Sequence, residues 1–147
     1  KVTGGTIKQY DNLKLYPQGI DVLIKSIQMH DDPVTESVYP ARVGIAVKGA
    51  KPDEVGRGDV ISAEDVVDVK TEIGLDFKKS PFYKNDIAEN QGCLVSIGLQ
   101  IKAAKFLSIS PLKLIFEKPI VCQKNDIAVI LKPESTTIRI LGSGKIL

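Results

Sequence analysis

Side chains able to do chemistry are sparse in this chain, and the few that stand together lie in its first third. Gln28, Met29 and His30 end one extended run, Arg42 opens the next, and an acidic stretch, DDPVTES at 31–37, joins them. If those runs pair as strands, their ends share one pocket wall. If they do not, the same residues are a surface glutamine and a solvated arginine, and spacing alone leaves both readings open. Either way the chemistry is binding rather than bond breaking. No Ser or Cys context suggests an activated nucleophile, and a lone histidine at a strand end cannot anchor a triad.

The remaining motifs point the same way. There is no GxxxxGK[ST] phosphate loop, no GxGxxG after a strand, no GxSxG elbow and no HExxH. The segment GSGK at 142–145 follows an apolar strand instead of opening a helix, so a turn is expected there. Cys93 and Cys122 form no CxxC pair, and His30 is the single histidine, so neither a zinc site nor a disulfide framework can be assembled. Two reduced core thiols are expected, with no catalytic residue and no metal ligand set.

The elements that must carry these groups are strands. Val, Ile and Thr number 14, 18 and 6 among 147 residues, whereas Phe and Tyr together supply eight side chains and Trp none. No segment keeps a 3.6-residue apolar period for three turns. Extended runs are expected at residues 12–16 (NLKLY), 21–29 (DVLIKSIQM), 42–48 (RVGIAVK) and 59–62. Pro17-Gln18-Gly19 and the acidic turn Asp31-Asp32-Pro33 separate the first three. An acidic, polar stretch, AEDVVD at 63–68, marks a domain junction. Beyond it, residues 69–77, 92–101, 113–116, 127–132 and 136–141 read as further strands. The expected class is all-β: two small antiparallel barrels in tandem, over residues 1–64 and 65–147.

Charge divides along the same line. Residues 1–65 carry 8 basic and 10 acidic side chains, and residues 66–147 carry 12 and 8. The second half is thus net +4 against −2, a balance compatible with a phosphate backbone as partner. No run approaches the ~20 apolar residues of a bilayer span, and no membrane partner is expected.

Several segments together resemble a known family. GTIK at 5–8, DNLKLY at 11–16, VLIKSIQMH at 22–30, RVGIA at 42–46 and RGDVIS at 57–62 follow the order of motifs in the second domain of translational GTPases. LIFEKPIVC at 114–122 and IRILGSGKI at 138–146 resemble the third domain of the same family. The KSIQMH form is most similar to selenocysteine-specific elongation factors (SelB) of the branch shared by archaea and eukaryotes. Two departures stand out: Pro40-Ala41 replaces the Gly-Asp often found before Arg42, and the first hairpin is shorter than usual.

The resemblance implies a pocket on the first barrel for the aminoacylated end of a transfer RNA, with the second barrel on the acceptor and T stems. By position, Gln28 falls against the terminal adenine and Arg42 near the amino acid, with His30 as an added donor. Lys78, Lys79, Lys84, Lys102 and Lys105 become candidates for the RNA backbone. The partners implied are selenocysteyl-transfer RNA, the ribosome, a GTPase domain ahead of residue 1 and a fourth domain after the barrels. GTP and Mg2+ are then cofactors of a cytoplasmic parent protein, and none is expected in this chain. Two other readings stay open: the same domains of another translational GTPase, such as a γ-type initiation factor 2, or a barrel module that only docks a protein.

Overall fold

The computed structural model describes residues 1–147 apart from Pro133, Thr136 and Thr137. Among the described residues it contains thirteen strands and a 3₁₀ turn at Pro52–Glu54. The chain is all-β, and its ladders are antiparallel throughout. Two compact units form: Lys1–Gly56 with Val60–Asp65, and Arg57–Asp59 with Val66–Leu147.

The first unit contains β1 (Thr6–Lys8), β2 (Asn12–Tyr16), β3 (Ile20–Met29), β4 (Asp32–Val34), β5 (Glu36–Val38), β6 (Gly44–Lys48) and β7 (Val60–Ser62). Four strands run in the order β4-β3-β2-β7, β6 also pairs with β3, and β1 pairs with β5 as a separate ribbon. Strand β2 has the bounds its alternating pattern predicts. The acidic segment after β3 differs from expectation, because it is not merely a turn. His30 and Asp31 take φ values of 54° and 68°, a two-residue hairpin loop, and Asp32 already begins the returning strand. The third run also starts later than its sequence suggests, at Gly44. Arg42 precedes it, just after Ala41, whose carbonyl accepts from Val2 N at 2.9 Å and whose N–H donates to Val38 O at 3.0 Å.

Strand β3 carries the one irregularity that matters most here. Its register against β6 shifts between Ile24 and Ser26, so Lys25 is bulged out of the ladder, and the Gln9 side chain donates to the Lys25 carbonyl at 2.8 Å. A bulge moves the pleat on by one residue. Val22 and Ile24 therefore share the buried face with Ile27, three positions on, and the core of this unit is completed by Leu15 and Val2.

The second unit contains β8 (Asp68–Lys79), β9 (Gly92–Ile97), β10 (Gln100–Ile109), β11 (Leu112–Cys122), β12 (Ile127–Leu131) and β13 (Ile140–Ile146). They close into a barrel in the order β10-β11-β8-β13-β12-β9. The expected run 92–101 is broken by a hairpin turn at Gly98 (φ 57°) and Leu99, and the long strand that follows was not expected from the sequence. Of the strand expected at 136–141, Thr136 and Thr137 lie outside the described residues. The segment GSGK is not a turn: it lies inside β13, with Gly142 opposite Lys79 and Gly144 opposite Phe77. The reason is close approach. A methyl group at Gly142 would come within 2.6 Å of the Phe77 ring, and one at Gly144 within 2.6 Å of the Asp76 carbonyl.

Seventeen buried residues fill this barrel, Phe106, Leu114, Ile130 and Leu141 at its centre. Gln100 is the polar exception. Its Oε1 accepts from Val121 N at 2.9 Å and its Nε2 donates to Val121 O at 2.7 Å, closing the gap where β11 changes register between Ile115 and Ile120. Gly58, at φ 96°, packs on Gln100 so closely that any Cβ would meet it at 2.7 Å. Cys93 and Cys122 are buried free thiols. Burial pushes Cys93 up to about 11. Burial also raises Cys122, while the nearby Lys70 cation pulls it partly back.

Candidate functional site

Gln28, His30 and Arg42 fall at one end of the β3–β6 ladder, each within two residues of the Gln28–Gly44 pair. Gln28 is flanked on one side by Pro33 of β4 and on the other by Gly44 of β6. Because of the bulge at Lys25 its side chain leaves the buried face and stands exposed in solvent. Without that extra residue, the alternation from Ile24 would turn it into the core. Its surroundings on that face are low. Ser26 pairs with Ala46 and Gln28 with Gly44, where a Cβ would lie 4.0 Å from the Gln28 Cβ. From the β6 side a planar group can therefore approach the amide without meeting a bulky side chain, while Pro33 stands on the β4 side.

His30 begins the hairpin loop directly after β3, and Arg42 lies two residues before the partner of Gln28. Both are exposed. Among the described residues no carboxylate forms an ion pair with Arg42, whereas Lys14 in the same unit is held by Asp21 at 2.9 Å and Glu64 at 3.0 Å. Hydrogen bonds to those two carboxylates raise the Lys14 pKa. Lys14 is thus locked into the fold of this unit, whereas the Arg42 guanidinium is presented to solvent. The arrangement can bind a planar group through Gln28 and an anion through Arg42.

The five candidate lysines do not form one surface. Lys78 and Lys79 end β8, and Lys84 lies in the loop that follows. Lys79 Nζ sits 5.8 Å from the centroid of the Tyr83 ring, and Lys84 Nζ donates to Pro81 O at 2.8 Å, so these two share one loop. Lys105 is elsewhere. It pairs with Ile115, which pairs with Glu72, so it lies level with Glu72, six positions along β8 from Lys78. At about 3.3 Å per residue that is roughly 20 Å. Lys102 falls on the core-facing register of β10 with Ala104 and Phe106, opposite buried Val95, and is half-buried. Only its ammonium can reach solvent from there.

Sequence reasoning missed the Phe82–Tyr83 loop. One aromatic of the pair is buried in the barrel core and the other is exposed, and adjacent identical-looking residues give no signal of which goes inward. Among the described residues no cluster of three or more His, Cys, Asp or Glu side chains could hold a metal, and no helix is long and apolar enough to cross a membrane.

No family model matches the chain. An uncharacterised protein of Methanocaldococcus jannaschii, MJ0325, is 33% identical over 99% of this chain and 47% of its own length. The selenocysteine-specific elongation factor of the same organism is 29% identical over 65% of this chain and 20% of its own length. Among solved structures, elongation factor SelB of Methanococcus maripaludis in complex with a GTP analogue matches 97% of this chain with a TM-score of 0.84, at 23% identity and over 37% of its own length. The chain therefore spans less than half of these proteins. Its fold is that of domains II and III of a translational GTPase, as carried by SelB-type elongation factors.

Proposed function

We propose that this chain is the transfer-RNA-binding pair of domains of a translation elongation factor that delivers selenocysteyl-transfer RNA to the ribosome. The first unit receives the aminoacylated end and the second the stems. The observation that carries the reading is the outward-facing Gln28, open on its β6 side, near a guanidinium that among the described residues has no carboxylate partner. A selenol is far more acidic than a thiol or hydroxyl, so selenocysteine is an anion at neutral pH. Arg42 rewards that charge, and serine, the precursor residue on the same transfer RNA, cannot supply it. His30 adds a donor at the same strand end. Lys78, Lys79 and Lys84 on one loop of the second unit are the favoured backbone contacts, ahead of Lys102 and Lys105.

On this reading GTP and Mg2+ belong to a nucleotide-binding domain of the parent protein, which acts in the cytoplasm. The present residues do not fit that role: the sequence contains no phosphate loop, and GSGK is held in the middle of a barrel strand. A second reading is favoured by the match to MJ0325, which covers nearly all of this chain in an organism that has a separate selenocysteine-specific factor. The chain would then serve a translational factor of the same fold with a different charged transfer RNA.

One experiment separates the two. In the parent factor with GTP, at one fixed salt concentration, dissociation constants are measured for selenocysteyl- and seryl-transfer RNA with wild type, Arg42→Ala and Arg42→Lys. A selenolate partner predicts a loss confined largely to the selenocysteyl ligand, partly restored by lysine because the planar fork is missing. Equal loss for both ligands refutes selenolate recognition and favours the second reading.

A further inference from the structure

The loop after β8 is built around Tyr83. Ser80 N donates to Leu141 O at 2.7 Å, Tyr83 N donates to Ser80 O at 3.1 Å, and the Tyr83 ring enters the barrel core with 4% of its surface exposed. Anchoring one aromatic inward turns its neighbour outward. Phe82 is 71% exposed, a placement that does nothing for the core. Beside it lies a cleft of about 180 Å³ lined by Phe82, Tyr83, Lys84, Asn85, Ser135 and Ile138. Among the described residues the buried Tyr83 hydroxyl has no hydrogen-bond partner, and Lys79 stands over its ring.

We infer that this cleft takes one unpaired nucleotide of an RNA, its base stacked on Phe82 and its phosphate held by Lys79 and Lys84. The volume falls below the ~300–1,000 Å³ of cofactor sites, which fits a single ring system. A phenyl face suits any base, the Asn85 amide and Ser135 hydroxyl suit its polar edge, and flanking ammonium groups suit the phosphate. The base must be unpaired, because in a duplex both of its faces are stacked away from a protein side chain. A lone aromatic set among cations lacks the continuous apolar area of a protein-docking patch. The inference rests on the second unit being an RNA-binding surface, yet it names a contact that a duplex stem cannot make.

The test uses the 147-residue protein and two probes: single-stranded hexaadenylate and a blunt RNA duplex. Affinities are measured across a salt series for wild type, Phe82→Ala, Phe82→Trp and Lys84→Ala. Phe82→Ala is expected to weaken the hexamer about tenfold with an unchanged salt slope, and Phe82→Trp to restore it. Lys84→Ala is expected to lower the slope by about 0.7. The duplex should ignore Phe82. Failure of the wild type to bind the hexamer, an unchanged affinity in Phe82→Ala, or an equal loss on the duplex overturns the inference. Transfer RNA, measured alongside, keeps the two readings apart. If it binds while the hexamer does not, the cleft assignment alone falls. If the hexamer binds through Phe82 while the parent factor with GTP does not bind selenocysteyl-transfer RNA, the elongation-factor reading falls and the cleft stands.

Discussion

The two units bury their side chains unequally. In the second, six strands close on themselves around seventeen buried residues, and even its one buried amide, Gln100, is fully satisfied. In the first, five apolar side chains form the core, the ladder runs as an open path, and a bulge sets an amide in solvent beside an unpaired guanidinium. A closed ladder leaves no edge groups and uses inward positions for packing, so substitutions there read out as stability. An open sheet with exposed ends leaves more of its side chains in solvent, where substitutions cost little stability.

The largest expected effect is in the barrel. Phe106 is fully buried at its centre, so Phe106→Ala should cost roughly 3–5 kcal/mol in denaturant unfolding followed by amide exchange of the second unit. A loss as small as that of a surface substitution would mean the barrel core is not the stabilising element. In the unmutated protein, amides of the first unit should exchange through lower-energy openings than those of the barrel. Equal protection in both would erase the contrast.

Gln100→Leu comes next, since it leaves the Val121 N–H and carbonyl buried and unpaired at about 1–3 kcal/mol per group. Gln100→Glu keeps an acceptor for the N–H but offers the carbonyl no donor when ionised, and should recover only part of the loss below neutral pH.

A smaller effect depends on pH. The Cys93 thiol is pushed from 9.0 to about 11 by burial, so the folded barrel holds its proton more tightly than the unfolded chain. Its stabilising contribution is complete below pH 9 and is lost as pH rises toward 11. Cys93→Ala should flatten that alkaline decline, and amide exchange should show it in the second unit only, because the first has no cysteine. A decline unchanged in the variant would assign it to another group.

The smallest expected change is in the first unit. Arg42 is exposed and among the described residues makes no ion pair, so Arg42→Ala should shift stability by no more than about 0.5 kcal/mol. A larger loss in the isolated protein would make Arg42 part of the fold and remove it from the binding surface.

The sequence alone was enough for the all-β class, because β-branched residues are abundant throughout, and for β2, because Leu13 and Leu15 alternate with polar residues ahead of the Pro17-Gln18-Gly19 turn. It also carried the charge contrast and the candidate trio Gln28, His30 and Arg42, whose types and spacing are local facts. Only the tertiary structure decided the rest. Gly142 and Gly144 read as a turn in isolation, yet they pair with β8 and β12 as strand residues, and they must be glycine because the Phe77 ring and the Asp76 carbonyl lie where their side chains would be. Gln28 faces solvent because Lys25 is bulged against β6, a property of two strands and not of one. Tyr83 turns inward and Phe82 outward because the barrel core takes one ring from this loop, and no local pattern says which neighbour fills it. Propensity and periodicity are written residue by residue, but register, closure and the choice of face are set by which distant segments pack together.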